Sequence, residues 1–296
     1  MQIVSNIAGL RAALAALRAQ QKTIGLVPTM GALHAGHLSL VRAARAQCDA
    51  VVATIFVNPT QFGPNEDFSK YPRTFEADRS LLEAQSVDIL FAPSNEEMYP
   101  AGASTFVDVE GVGDRLDGAS RPGHFRGVAT IVAKLFHLVG PDKAFFGQKD
   151  AAQVAVLRKM VRDLNFPLEI VVCPIVREPD GLALSSRNRY LSPGERRHAL
   201  ILSRTLHTIE EQALKGITVA AALLSTGMQV ISNDPEARLD YLKIVDPDSL
   251  LDVATTEQGA LIAVAAWVGT TRLIDNVLIA PLTTQGNQQA SSSPKH

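Results

Sequence analysis

Apolar residues change their spacing several times along this chain, and each change predicts an element. Residues 7–20 carry Ala and Leu at helical spacing and predict a helix. The run Ile-Gly-Leu-Val at 24–27 predicts a short buried strand. A turn-prone stretch with Pro28, Gly31 and Gly36 follows, and then Leu38, Val41, Ala44 and Arg45 recur at helical spacing. The β-branched run at 50–57 predicts a strand buried on both faces. The pattern continues with a helix over 73–85, a strand over 87–91 and a short strand over 105–109. A helix over 128–139, a strand over 143–146, a helix over 151–164 and a strand over 168–172 complete it. Such alternation predicts an α/β fold, a Rossmann-like, doubly wound parallel sheet built from βαβ units. Ligands of such sheets bind where loops leave the carboxyl ends of strands.

The pattern changes near residue 176. A loop rich in Ser, Arg and Asn precedes a long helical pattern that starts at Pro193, a residue suited to a first turn. A helix over 219–232 and three β-rich pieces at 239–245, 260–268 and 271–279 follow. This divides the chain into a Rossmann-like domain over 1–175 and a smaller α+β C-terminal domain over 176–282. Residues 283–296 are rich in Gln, Ser, Thr and Asn without periodicity, which predicts a disordered tail.

Composition narrows the classes. With 296 residues, 46% of them hydrophobic, the chain can bury a sizeable core. A formal charge of −2 argues against a general nucleic-acid binder. No apolar run approaches the roughly 18 residues of a membrane span. The N-terminus lacks the basic and apolar regions of a secretory signal. Cys48 and Cys173 each sit in apolar surroundings and read as buried thiols, which suits a reducing cytoplasm.

Five segments carry candidate chemistry. The first is Pro28-Thr29-Met30-Gly31-Ala32-Leu33-His34-Ala35-Gly36-His37. A strand, a glycine-bearing turn and a helix start present backbone N–H groups and a positive dipole end to an anion. Asn58-Pro59-Thr60-Gln61-Phe62-Gly63 follows the next strand. Its amides can bond a hydroxylated substrate without carrying charge, although an ordinary Asn-Pro turn fits as well. Arg121-Pro122-Gly123-His124-Phe125-Arg126-Gly127 reads as an anion loop or as a solvated basic turn. Gly147-Gln148-Lys149-Asp150 ends a strand, with Asp150 placed as a helix N-cap, Lys149 as a phosphate ligand and Gln153 one turn on. Leu184-Ser185-Ser186-Arg187 offers hydroxyls and a guanidinium fork to a polyphosphate. Neither serine lies in a Gly-x-Ser-x-Gly elbow, and no P-loop occurs.

The pattern His34-Ala35-Gly36-His37 resembles the H-I-G-H signature of class I aminoacyl-tRNA synthetases and their nucleotidyltransferase relatives. In sequence order, H-x-G-H, N-P-x-Q-F, G-Q-K-D and L-S-S-R-N together resemble the pantothenate synthetase family, over nearly the whole chain up to the tail. Leu184 stands where some relatives have Met. The resemblance implies a ligase that joins pantoate to β-alanine with ATP and Mg²⁺, through a pantoyl adenylate, releasing AMP and pyrophosphate. It assigns ATP to residues 28–37, to Gly147, Gln148, Lys149 and Asp150, to Val176, and to Leu184, Ser185, Ser186 and Arg187. His34, His37, Lys149 and Arg187 carry the catalytic roles, with His37 as the proton donor. Gln61 and Gln153 hold pantoate, while Asn58, Arg121 and His124 belong to the substrate pocket. The resemblance also implies a cytoplasmic homodimer that acts on small molecules rather than nucleic acid or membrane, with no metal-binding residues of its own. Two alternatives remain: a nucleotidyltransferase that stops after moving the nucleotide, and a non-catalytic nucleotide sensor. The first would need no amides at both Gln61 and Gln153, and the second would tolerate loss of a histidine or of Lys149.

Overall fold

A computed structural model describes residues 1–64 and 66–282. The expected tail at 283–296 lies outside the described residues. Nine strands and nine α-helices occur among the described residues. The strands are β1 (Gln2–Val4), β2 (Ile24–Thr29), β3 (Ala50–Ile55), β4 (Ile89–Phe91), β5 (Lys143–Gly147), β6 (Glu169–Cys173), β7 (Ala237–Val245), β8 (Ala260–Val268) and β9 (Thr271–Ile279). The helices are α1 (Ile7–Ala19), α2 (Ala35–Gln47), α3 (Phe75–Ala84), α4 (Asn95–Met98), α5 (Asp117–Ser120), α6 (His124–Val139), α7 (Ala151–Asp163), α8 (Pro193–Leu214) and α9 (Ala220–Ile231).

Strands β1 to β6 form one parallel sheet in the order β1-β4-β3-β2-β5-β6. The chain runs outward from β2 to β3 and β4, then returns to place β5 on the other side of β2. That reversal lies between β2 and β5, and it is where an open parallel sheet leaves a crevice at its carboxyl end. The β3 residues Ala50, Val51, Val52 and Ala53 are fully buried, as a strand covered on both faces requires. Strands β7, β8 and β9 make a separate antiparallel sheet. In β8 the side chains alternate between two cores. Leu261 and Ala263 join the core of the large sheet, while Ile262, Val264 and Ala266 join a core formed with α8 and α9. Helix α8 starts as expected: Pro193 occupies its first turn, and Ser192 and Glu195 form a reciprocal capping box.

One strand was not expected, and two expectations change. Strand β1 has only three residues, too few to show a period, and it pairs with β4. Residues 105–109 are not a strand, because no ladder partner reaches them. The Val107 N–H donates instead to the buried Thr130 Oγ1 at 2.9 Å. Helix α6 begins at His124, a turn before residue 128, because Gly123 takes φ +81° and turns the chain directly into the helix. Much of the expected anion loop is therefore the first turn of α6.

Gly127 in that turn lies against the segment of Asn58 and Gln61. A Cβ there would come within 2.3 Å of the Thr60 carbonyl oxygen and 2.7 Å of Gln61 Cα. Gly127→Ala should force the two backbones apart and destabilise the protein by about 1–3 kcal/mol, as other overpacked sites do. Thermal unfolding checks this, and a melting temperature equal to wild type would contradict the close approach.

Candidate functional site

The turn after β2 is shaped by a carboxylate that the sequence pattern gave no reason to single out. Asp78 of α3 is 2% exposed and accepts the backbone N–H groups of Ala32 and Leu33 at 2.9 and 2.8 Å. Thr74 Oγ1 donates to it at 3.1 Å. These bonds hold Ala32 at φ +51°, a left-handed conformation unusual outside glycine. Thr29 is also used internally: its Oγ1 donates to the Thr54 carbonyl at 2.6 Å and accepts the Gly31 N–H at 3.1 Å. Pro28 lies within β2, and the Ala32 and Leu33 side chains are buried. These four motif residues therefore build the turn, and their side chains do not face the opening. The N–H groups of Ala32 and Leu33, expected to await an anion, are already taken by Asp78.

The turn delivers Met30 and the residues from His34 to His37 to the start of α2. His34 is the N-cap; its Nδ1 accepts the Gly36 N–H at 3.2 Å, and His37 Nδ1 accepts the His34 N–H at 3.3 Å. The two rings lie 4.1 Å apart. A Cβ on Gly36 would sit 2.9 Å from the His34 ring and 3.9 Å from Leu184 Cβ, so glycine lets the helix start meet the 184 segment. Burial depresses both imidazoles: His34 to about 4, with Lys149 adding to the effect, and His37 to about 3, with His34 adding. Both are neutral at pH 7. As neutral rings they can donate hydrogen bonds without adding charge. With Nδ1 occupied by a backbone donor, Nε2 is the nitrogen that carries the ring proton.

Across the crevice, β5 ends at Gly147 and a 3₁₀ turn over Gln148–Asp150 leads into α7. Asp150 occupies the N-cap position of α7 but accepts no backbone N–H there, and its Oδ1 lies 3.7 Å from Lys149 Nζ. The Gln148 amide, expected to reach nucleotide, turns toward β9 and donates to Asn276 Oδ1 at 2.9 Å. Lys149, Asp150 and Gln153 line a cleft of about 760 Å³ together with Arg121, His124 and Arg187. Among the described residues the Gln153 amide has no hydrogen-bond partner within the protein.

The far wall of the cleft comes from two loops that meet. Leu184 N–H donates to the Val176 carbonyl at 2.9 Å, which sets the base of the 185–187 segment. Arg187 pairs with Asp67 through Nε and Nη2, each at 3.2 Å. Tyr71 Oη approaches Ser186 Oγ at 3.5 Å, and Tyr190 Oη donates to the Lys70 carbonyl at 3.4 Å. Arg187 is thus already paired with an acid rather than free.

The remaining candidates have mixed roles. Asn58 is 1% exposed, and every polar atom of its side chain is engaged. Its Nδ2 donates to Gln61 Oε1 at 3.0 Å and to the Gly127 carbonyl at 3.1 Å, and its Oδ1 accepts Tyr99 Oη at 2.9 Å. Asn58 therefore holds Gln61 in place and does not itself face a ligand. Gln61 Nε2 in turn donates to Met30 Sδ at 3.1 Å, which joins this loop to the α2 turn. Arg121, expected in an anion loop, is neutralised by Glu66 at 2.6–2.7 Å. His124 Nδ1 meets the Gln61 carbonyl at 2.8 Å, and burial followed by the Arg121 charge lowers its pKa to about 4. Among the described residues no three His, Cys, Asp or Glu are grouped to hold a metal. None of the described helices is long and apolar enough to cross a membrane.

Comparison with known proteins identifies the family. The family described as pantoate-beta-alanine ligase matches residues 2–278. A pantothenate synthetase from Acidobacterium capsulatum is 63% identical over 290 residues, covering 94% of this chain and 97% of that one. One from Koribacter versatilis is 58% identical over 279 residues, covering 94% and 96%. A crystal structure of pantothenate synthetase from Thermus thermophilus superposes with TM-score 0.90 at 52% identity, over 95% of this chain and all of that one. A pantoate-beta-alanine ligase from Francisella tularensis, described as complexed with beta-gamma ATP and beta-alanine, superposes with TM-score 0.77 at 35% identity over 94% and 97%. On the family match, the full-length relatives and the shared fold, this chain belongs to the pantoate–β-alanine ligase, or pantothenate synthetase, family.

Proposed function

We propose that this pantothenate-forming ligase works through a pantoyl adenylate. The pantoate carboxylate attacks the α-phosphate of ATP, pyrophosphate leaves, and the β-alanine amine then attacks the acyl carbon to give pantothenate and AMP. One observation carries the reading. A pair of neutral imidazoles lies within electrostatic range of Lys149, and Lys149 lines one cleft with the unpartnered Gln153 amide at the switch point of a parallel sheet. The Francisella relative, described with beta-gamma ATP and beta-alanine, supports the choice of substrates.

The roles follow from charge and hydrogen-bonding capacity. ATP and pantoate are both anions, so the site must offset their repulsion as they meet. Lys149 supplies a cation at the strand end, and the start of α2 supplies a positive dipole end. His34 and His37 offer Nε2–H donors that add no charge, so they can follow the phosphates through the step without a proton changing hands. Arg187 joins once a phosphate takes the place of Asp67. The open amide of Gln153, together with Gln61, suits the hydroxyls of pantoate. Mg²⁺, carried by the nucleotide, would neutralise phosphate charge, and Asp150 is a carboxylate on the cleft wall that fits it. The Ser185–Arg187 segment belongs to the lid in a division near residue 176, supported by the core that α8, α9 and the smaller sheet form among themselves. Closure there would shield a reactive anhydride from water. A cytoplasmic homodimer is part of the same proposal and rests on the family resemblance alone.

Gln153→Ala should raise the KM for pantoate far more than that for ATP, on the order of 1–3 kcal/mol if the substrate hydroxyl stays buried and unpaired. Steady-state kinetics in each substrate test it, and equal weakening of both would remove Gln153 from the pantoate pocket.

The histidines provide a test of charge. A ring whose folded pKa lies below the ordinary value of about 6.5 stays neutral until the pH falls toward the lower value. Ring resonances of His34, His37 and His124 should therefore keep their neutral positions from pH 8 down to about 5. By the same sign, the unfolded chain binds more protons in that range, so these rings make stability fall as pH drops below about 6.5. A midpoint near 6.5 for His34 or His37 in an NMR titration would contradict neutral donors.

Lys149→Ala tests the chemical step. The variant should fold, bind ATP within about tenfold of wild type and lose on the order of 10²–10³ in adenylation rate, because the cation matters most as charge moves to the leaving pyrophosphate. Given synthetic pantoyl adenylate and β-alanine, it should keep much of its amide-forming rate. Single-turnover measurements of both halves decide the point; equal losses would mean that Lys149 organises the whole site.

A further inference from the structure

Asn276 lies in β9, on the smaller sheet, and is 3% exposed. It reaches the strand end that carries Lys149. Its Nδ2 donates to the main-chain carbonyls of Gln148 and Lys149, at 3.0 and 2.9 Å, while its Oδ1 accepts Gln148 Nε2 at 2.9 Å. Both amide protons and the carbonyl oxygen are thus used on one short segment. Gly147 is held from one side by its pairing with Cys173 of β6, but the 3₁₀ turn that follows has no side-chain cap, so beyond the strand end the Asn276 amide fixes the segment.

The preceding β9 residue performs a matching task. Asp275 is 4% exposed and takes Arg177 in a two-pronged pair at 2.6 and 2.9 Å. Arg177 pairs with Ala183 in a bridge that leads straight into residues 184–187. Successive residues of a strand point to opposite sides. One dipeptide of the smaller sheet therefore grips both nucleotide-facing segments, 147–149 with Asn276 and 177–183 with Asp275.

We infer that Asn276 is a positioning residue for Lys149: its amide fixes the main chain from which the lysine departs, and so sets where the ammonium meets the phosphates. The inference rests on the role given to Lys149 above. A buried amide with all its capacity spent on two backbone carbonyls and one side chain allows little adjustment. A displacement of about 1 Å in a catalytic group can cost on the order of 10²-fold in rate.

A double-mutant cycle tests this, with pantoate-dependent pyrophosphate release as the assay. Wild-type enzyme must turn over for the ligase reading to hold, so failure there is separate from failure of this inference. Asn276→Asp keeps the shape but sets a carboxylate oxygen against the two carbonyls, and Asn276→Ala removes the grip. Both should lower kcat by about 10- to 100-fold while KM for ATP and for pantoate stays within about threefold. In a Lys149→Ala background the Asn276 change should add less than about twofold, since a residue that acts through the lysine has nothing left to position. Melting temperatures and circular dichroism accompany each variant, and rates are normalised to folded protein. If the two losses multiply, or if kcat per folded enzyme is unchanged in Asn276→Asp, the positioning role is wrong and Asn276 serves only to join the two sheets.

Discussion

The Asp78 carboxylate is withdrawn almost entirely from water, yet no cationic side chain neutralises it within hydrogen-bond reach among the described residues. Two backbone N–H groups and a threonine hydroxyl take the place of its hydration. Burying a carboxylate is costly unless such bonds are made, so the arrangement is tolerated only with the turn in this shape. The consequence spreads outward. Ala32 is held left-handed, Met30 is brought to Gln61, and His34 and His37 arrive at the first turn of α2 with their Nδ1 atoms engaged. Most of what the site presents from the β2 side depends on this one buried side chain.

The β5 side is built differently. There the constraint comes from a second sheet with its own core, which touches the first through alternate residues of β8 and through β9. The crevice is thus defined by two packed units of unlike construction, with Lys149 on the strand end between them. The shared packing of Leu261 and Ala263 limits how far the two can separate without exposing apolar surface. Among the described residues, Asp67, Lys70 and Tyr71 meet the 185–190 segment through polar contacts.

The legible part of this protein was that written in local periodicity or in contiguous motifs. The limits of β8 follow from its unbroken apolar run, those of β9 from a β-rich piece that keeps its strand character across Arg272, Asp275 and Asn276, and α8 from Pro193 and its capping box. The turn at 28–37 is recognisable because glycines and histidines lie side by side. What escaped detection was long-range or depended on burial. Strand β1 is too short to have a period, and residues 105–109 have strand composition but find Thr130 instead of a ladder. Asp78 and Leu82 share the buried face of α3, so an acid on an apolar stripe was the available signal, and it was easily lost among the neighbouring acids of that helix. Asn276 is 127 residues from Lys149, and no spacing rule connects them. The neutral state of the histidines required knowledge of their surroundings, as did the internal partners of Asn58, Gln148 and Arg187.

The pairing of Arg187 with Asp67 has a consequence for selectivity between anions. The guanidinium is not an open charge that attracts whatever anion diffuses past. Any newcomer must compete with a tethered carboxylate whose local concentration is high. Orthophosphate or a simple carboxylic acid exchanges one ionic contact for another and gains little. On the proposed reading, a triphosphate would meet Lys149 and the start of α2 together, so it would arrive with attraction left over after Asp67 is displaced. The internal pair therefore acts as a threshold: it lowers affinity for every anion by the same increment, and only a ligand long enough to span the crevice exceeds it.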